Sequence, residues 1–261
     1  MSTSADVDVT TERGVREIRF ARPQKKNAIT IAMYGVLAQA LETANADASV
    51  RAVVVTAAGE TFSAGNDIVD FASAGPSFDG APQTRLLEAF VALDKPLVAA
   101  VHGSAIGIGA TMLLHCDLVY ASSTAKLRMP FVSLGLVPEA ASSLLLPRRV
   151  GHAVAAEMLL LGAWVDAHRA KSLGLVNDVV DGSAGGVAVT ALAREKALEL
   201  AKAPPRSLRA TRRLLRGDPS DVRARMLEEG RKFAEAVTSS EAREAFTAFF
   251  EKRAPNFEGL G

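Results

Sequence analysis

The sequence contains a single cysteine, Cys116, so it has no internal disulfide and fits a reducing compartment best. It also lacks a long apolar run, because one histidine and three glycines interrupt the longest candidate, residues 97–114. The first nine residues show no basic-then-apolar secretion signal, and the last three match no common targeting address. We therefore expect a cytoplasmic protein that has no membrane partner.

An excess of either charge is absent as well, since 30 basic residues face 29 acidic ones and the net charge is +1. Such a balance gives no global attraction to nucleic acid or to an anionic membrane. The arginine-rich stretch 206–216 is the one candidate basic face, and a solvated helix is the commoner meaning of such a stretch. We expect no nucleic-acid partner, and a salt-dependent RNA shift assay tests the alternative.

Several motifs of cofactor chemistry are missing. Gly107-Ile108-Gly109 begins like a dinucleotide fingerprint, but Met112 stands where the third glycine belongs. There is no phosphate-loop lysine signature and no Gly-x-Ser-x-Gly motif. The four histidines show no metal-ligand spacing with each other or with Cys116. The sequence predicts neither a nicotinamide cofactor nor a metal site.

The chain is long enough for a substantial core, with 261 residues of which 49% are hydrophobic. Its apolar patterns alternate between strands and helices up to about residue 184, and only helices are predicted beyond it. The pattern predicts strands near 17–20, 52–56, 97–101, 117–120 and 175–180, helices over 31–45, 83–93, 140–145, 152–161 and 167–173, and a surface loop over 73–82. This order indicates an α/β fold with an appended helical region.

Two small, glycine-bearing loops follow predicted strands. Residues 61–67 follow the strand that ends at Thr56, and residues 106–109 follow the strand that ends at Val101. Small residues let a ligand approach backbone N–H groups, and the second loop also leads into a helix N-terminus. The two loops are either ordinary glycine turns or a pair of N–H donors for one developing oxyanion.

Glu139 is a candidate general base. Its neighbours, residues 134–143, are apolar or small, and such surroundings raise the pKa of a carboxyl toward neutral pH. The alternative is a solvent-facing glutamate in the first turn of a helix, where the helix dipole favours it.

The chain resembles the enoyl-CoA hydratase/isomerase (crotonase) superfamily from about residue 9 to the end. The resemblance lies in motifs in register: Arg22-Pro23 with Asn27-Ala28, residues 62–67, 95–103, 107–109 and 116–121. It implies an α/β spiral of ββα units over 1–200 and a helical trimerisation region over 201–261. It also implies a homotrimer or dimer of trimers acting on an acyl-CoA thioester, with no separate cofactor because coenzyme A is part of the substrate.

Catalytic roles follow from the resemblance. The thioester oxygen is expected to accept hydrogen bonds from the backbone N–H groups of Asn66 and Ile108. Hydratases of the superfamily use two glutamates, and this sequence has Thr111 and Phe131 at those positions. Glu139 takes the place of the single catalytic glutamate of Δ3,Δ2-enoyl-CoA isomerases, most of all those of peroxisomal type.

Binding roles follow in the same way. Lys25 or Lys26 is expected to meet the phosphates of CoA, and Lys252 is expected either to reach a neighbouring subunit's CoA or to end a solvated helix. Asp67 is interpreted as a turn residue rather than an acid catalyst. The other expected substrate-binding residues are Ala28, Ala64, Gly65, Ile68, Gly107 and Phe131.

The function expected from these residues is isomerisation of a 3-enoyl-CoA to the 2-enoyl-CoA in fatty-acid β-oxidation. Glu139 moves the proton, and a dienolate is held in the oxyanion hole. Three alternatives stay open: hydration, thioester hydrolysis or carbon–carbon chemistry on another acyl-CoA, and a non-catalytic acyl-CoA-binding or RNA-binding role.

Overall fold

The main sheet of the computed structural model, which describes residues 6–70 and 80–260, has six strands. In spatial order they are β1 (Val7–Glu12), β2 (Val15–Phe20), β3 (Ala52–Ala57), β4 (Leu97–Val101), β6 (Leu118–Ser122) and β9 (Asp178–Val180). β1 and β2 form an antiparallel hairpin, and the other neighbours are parallel. The parallel strands lie close to their predicted positions, whereas β1 was not predicted.

A second sheet of three short strands stands beside the first. It contains β5 (Ser104–Ile106), β7 (Lys126–Arg128) and β8 (Val165–Asp166) in that order. An isolated bridge between Ser63 and Ala105 connects the loop after β3 to this sheet. The chain thus turns repeatedly from one sheet to the other, as the expected spiral of ββα units requires.

The α-helices whose bounds lie within the described residues enclose these sheets. They are α1 (Ile31–Ala46), α2 (Pro82–Ala92), α3 (Ile108–Thr111), α4 (Ser142–Val150), α5 (His152–Leu160), α6 (Ala167–Ser172), α7 (Val187–Lys202), α8 (Pro205–Arg216), α9 (Ser220–Val237) and α10 (Ser240–Glu251). The Thr30 side chain caps α1 and that of Asp166 caps α6, as predicted. Of the predicted loop 73–82, residues 73–79 lie outside the described residues, and Pro82 begins α2.

Both faces of the main sheet are buried. Val53 and Val55 of β3 point into the larger core under α1 and α2, whereas Val54 points into a smaller core under α7. A strand buried on both faces needs apolar residues at successive positions, which is why residues 52–55 read as a continuous apolar run. The layers are therefore helix, sheet and helix, which confirms the α/β class.

The C-terminal helices α8 to α10 pack onto the larger core. Met226 of α9 and Ala242 of α10 belong to its buried residues, and Arg212 of α8 pairs with Asp117 at 2.7 Å. The division after residue 200 stays a prediction, and the chain does leave α7 at Pro204-Pro205. Among the helices that the structure describes, none has the length and apolar character to cross a bilayer.

Candidate active site

The two glycine-bearing loops lie side by side. The Ser63 N–H donates to the Ser104 carbonyl at 3.1 Å, and the Ile106 N–H donates to the Ser63 carbonyl at 3.0 Å. Gly65 has a φ of +89°, and a Cβ added there would lie 2.9 Å from the Ile106 carbonyl oxygen. Glycine is therefore required at position 65 by both conformation and space.

The predicted oxyanion donors are available at this junction. The pairing of Ile29 with the first loop uses the Gly65 carbonyl and the Asp67 N–H, so the Asn66 N–H lies on the other side of the strand. Ile108 begins α3, where a first-turn N–H has no acceptor inside the helix. Among the described residues, neither of these N–H groups has a protein acceptor.

Glu139 lies next to α3, in the turn before α4. The hydroxyl of the buried Thr111 at the end of α3 donates to the Glu139 Oε1. Helix α4 begins only at Ser142, two residues later than predicted, so Glu139 is not a first-turn residue of that helix. Its half-buried carboxyl thus faces α3, the helix that follows the second glycine-bearing loop.

Burial raises the pKa of Glu139 to about 8. The hydrogen bond from Thr111 acts in the opposite direction, and the negative charge of Glu229 raises the pKa further. A carboxyl with such a pKa can take up and return a proton near neutral pH, as general acid–base catalysis requires.

The turn after Glu139 is conformationally strained. Ala140 and Ala141 have positive φ values of 60° and 54°, a region that alanine rarely adopts. The Ser142 N–H donates to the Glu139 carbonyl at 3.0 Å, and the His115 Nε2 lies 2.8 Å from the Ala140 carbonyl. This turn explains the later start of α4, since two left-handed residues cannot belong to a right-handed helix.

Tyr34 is a site residue that the sequence analysis missed. Its hydroxyl donates to the Asn66 Oδ1 at 2.6 Å, and its side chain is only 2% exposed. Burial, and secondly the charge of Glu139, raise the pKa of Tyr34 well above its usual range, so the hydroxyl stays a donor. A tyrosine on the buried face of a helix needs a partner for its hydroxyl, and that was the available signal.

Asp67 holds the first loop in place. Its Oδ2 accepts from the Arg22 guanidinium at 2.7 Å, while its Oδ1 accepts the N–H groups of Val69 and Asp70. The Arg22 pairing, together with these backbone bonds, outweighs the opposing effect of burial and lowers the pKa of Asp67. An ionised carboxylate with these partners agrees with a turn residue rather than an acid catalyst.

The remaining predicted binding residues lie at different places. Ala64 joins the first loop to the Lys25–Ala28 segment, because its N–H donates to the Lys26 carbonyl at 3.0 Å. Phe131 is buried in the larger core. Lys25 and Lys252 are exposed, and their contacts with CoA remain predictions. The half-buried positions at or beside the two loops are Ala28, Ile68 and Gly107.

The part of the chain that the structure describes contains no group of three histidine, cysteine, aspartate or glutamate side chains that could hold a metal ion.

Comparison with known proteins gives a consistent result. The sequence profile "enoyl-CoA hydratase/isomerase" matches residues 10–260. Enoyl-CoA delta isomerase 2 of Rattus norvegicus is 40% identical over 82% of this chain and 55% of its own length, so this chain spans little more than half of that relative. The 2,3-dehydroadipyl-CoA hydratase of Escherichia coli is 31% identical over 98% of this chain and 99% of its own length.

Comparison with solved structures finds the same family. The crystal structure of an enoyl-CoA hydratase/isomerase from Pseudoalteromonas atlantica is 44% identical, covers 97% of this chain and 99% of its own, and superimposes with a TM-score of 0.91. The chain therefore belongs to the enoyl-CoA hydratase/isomerase (crotonase) family.

Proposed function

We propose that this protein converts 3-enoyl-CoA thioesters to the conjugated 2-enoyl-CoA. The observation that carries this proposal is one half-buried carboxyl, Glu139, held by Thr111 beside two backbone N–H groups that have no protein acceptor. A single carboxyl is sufficient for a proton transfer between two carbons of the same substrate.

The reaction proceeds in two proton transfers. The Glu139 carboxylate removes a proton from C2, and the electron pair of that C–H bond moves toward the thioester carbonyl. The resulting dienolate oxygen accepts hydrogen bonds from the Asn66 and Ile108 N–H groups. The protonated Glu139 then delivers its proton to C4, the double bond forms between C2 and C3, and the carboxylate is regenerated.

Two positions argue against hydration by the usual two-glutamate route. Thr111 stands where the first glutamate of hydratases lies, and its hydroxyl is engaged with Glu139. Phe131 stands at the second position and is buried in the core. The names of two curated relatives, the delta isomerases of Rattus norvegicus and Mus musculus at 40% and 42% identity, support the same reaction.

Hydration is the second candidate, because relatives named hydratases match nearly the whole chain. The other carboxyl that acts on Glu139 electrostatically is Glu229, but its Oε1 accepts the Ser143 N–H at 2.9 Å. One oxygen of this carboxyl is therefore bound by the backbone of α4, and the other is buried.

Assembly of this enzyme as a homotrimer is proposed with it. Apolar side chains on α8 and α10 are exposed in the single chain, among them Leu214, Leu215, Phe249 and Phe250. An exposed apolar face on the C-terminal helices fits a subunit interface there. Sedimentation of the purified protein distinguishes a monomer, a trimer and a hexamer.

The test is to supply a 3-enoyl-CoA and to follow the ultraviolet absorbance of the conjugated thioester. We expect rapid conjugation by the unmodified protein and a loss of at least a hundredfold in Glu139→Gln. The matched control is Glu235→Gln, because Glu235 is an exposed glutamate on α9. This variant should keep full activity.

Two parallel assays separate the alternatives. Loss of absorbance from a 2-enoyl-CoA reports hydration, and a thiol reagent reports release of free CoA. If a folded protein conjugates no 3-enoyl-CoA of several chain lengths yet performs either of these reactions, the isomerase assignment is wrong.

A further inference from the structure

Glu229 of α9 is a buried carboxyl that the proposed reaction does not use. It is 5% exposed, and its Oε1 accepts the Ser143 N–H at 2.9 Å. Among the described residues its Oε2 is buried without a hydrogen-bond partner. Burying a carboxyl is unfavourable unless hydrogen bonds or an opposite charge compensate for it. The backbone that the Glu229 carboxyl binds therefore indicates the role of this residue.

The segment that Glu229 holds is the strained turn after the catalytic base. Glu229 binds the Ser143 N–H directly after this turn, and the Arg225 Nη1 one turn earlier on α9 donates to the Ser143 Oγ at 3.0 Å. Two consecutive alanines in the left-handed region, Ala140 and Ala141, persist only where their surroundings fix them. Helix α9 provides that fixation from one side, and His115 provides it from the other.

We propose that Glu229 is a positioning residue for Glu139: its carboxylate anchors the strained turn that carries the base and places a negative charge behind it. The proposal rests on the proposed function, since it takes Glu139 to be the base. It makes the C-terminal helical region a functional part of the active site rather than only an assembly element.

The titratable groups around Glu139 and Glu229 determine how the charge of Glu229 acts on Glu139. Tyr34 of α1 and His115 face Glu139 and its turn, and Arg225 lies beside Glu229. Burial lowers the pKa of His115 to about 4, so this side chain is neutral in the working range. Burial raises the pKa of Glu229, whereas the Ser143 N–H and the positive charge of Arg225 act in the opposite direction and favour its ionised form. Among the described neighbours named above, the negative charge that opposes ionisation of the base is therefore that of Glu229.

The first test is Glu229→Gln, which keeps an acceptor for the Ser143 N–H and removes the charge. The pH at which kcat/KM reaches half of its plateau should move to lower pH. At a pH below that midpoint, kcat/KM relative to its own plateau should rise roughly threefold, the scale of a moderate charge interaction inside a protein. A purely structural role would lower activity at every pH without moving the midpoint. An unmoved midpoint in a folded Glu229→Gln variant, or an equal shift in the control Glu235→Gln, overturns the proposal.

The second test is Glu229→Ala, which leaves the turn without its anchor. We expect kcat to fall about tenfold or more while KM stays within a factor of two, because the base is displaced but the oxyanion donors are not. Glu229→Gln should retain most of kcat at its plateau. If Glu229→Ala keeps kcat within twofold, Glu229 does not position the base.

A substrate-free measurement separates this proposal from the proposed function. The melting temperature of the protein minus that of Glu139→Gln, followed against pH, reports the ionisation of Glu139 alone. When this comparison is repeated in the Glu229→Gln background, the pH at which the difference in melting temperature changes should be lower. This change with pH is the ionisation transition of Glu139. If the transition moves and no isomerisation is seen, the reaction assignment fails and the positioning role stands. If it does not move, the positioning role fails whatever the reaction is.

Discussion

Replacing Thr111 by valine isolates the hydrogen bond that counteracts the effect of burial on the pKa of Glu139, the proposed base. Valine has nearly the same shape, so the buried site keeps its packing, and only the hydroxyl donor to the Glu139 Oε1 is lost. The hydroxyl favours the ionised form of Glu139 and lowers a pKa that burial has raised to about 8. Its removal should raise that pKa further, so that less of the enzyme carries a competent base at neutral pH.

The magnitude follows from the strength of a hydrogen bond to a charged group, about 1.5–3 kcal/mol. That energy corresponds to roughly a 10- to 150-fold change in the ratio of ionised to protonated Glu139. The half-buried position of the carboxyl places the expected change at the lower end. We expect kcat/KM at pH 7 to fall about tenfold, with a much smaller loss on the alkaline plateau.

The assay is the pH dependence of kcat/KM for Thr111→Val beside Thr111→Ser. Serine keeps the hydroxyl and should keep the midpoint of the unmodified protein. Equal midpoints for the valine and serine variants would refute the reasoning, because the hydroxyl would then have no differential effect on the charged form. A loss that is uniform across pH would point instead to displacement of the carboxyl.

Two further predictions concern stability. Because the pKa of Glu139 is raised, the unfolded chain ionises this group from about pH 4.5 upward while the folded protein keeps its proton until about pH 8, so stability falls across that window. Glu139→Gln should therefore raise the free energy of unfolding by roughly 2–4 kcal/mol at pH 8 and leave it unchanged at pH 4, and an equal effect at both pH values would contradict the shift. Gly65→Ala should destabilise by about 2–4 kcal/mol and abolish activity, because it combines a positive φ with a Cβ only 2.9 Å from the Ile106 carbonyl oxygen. The control Gly174→Ala also has a positive φ but meets no atom within 4 Å, so it should cost about 1 kcal/mol in denaturant melts, and similar losses in the two variants would disprove the role of the close approach.

The parts of the fold that could be predicted are those with a local pattern. The run 52–55 and the Thr30 cap of α1 are local signals, and both elements lie where they were expected. Strand β1 was missed because Val7 and Val9 alternate with polar residues in a segment that reads as a polar terminus. Strands β5, β7 and β8 have only two or three residues, too few for any periodicity.

The start of α4 shows where local propensity fails. Alanine favours helices, so the local sequence predicts that Ala140 and Ala141 belong to a helix. In the structure His115 holds the Ala140 carbonyl and Glu229 holds the N–H of the nearby Ser143, and both side chains come from distant parts of the chain. Tertiary contacts therefore override propensity at the two residues that follow the base, and no local pattern could have indicated it.

The site divides in the same way between local and distant determinants. The two proposed oxyanion donors are backbone groups, and the small residues after two parallel strands were enough to predict the loops that carry them. The proposed base, Glu139, is different, since its pKa depends on Thr111 from α3 and Glu229 from α9, with Tyr34 from α1 nearby. If the proposed roles hold, the side chains around position 139 change the proton chemistry without disturbing the two backbone N–H donors. The choice among reactions in this family is accordingly to be sought at positions 111, 139 and 229 rather than in the two glycine-bearing loops.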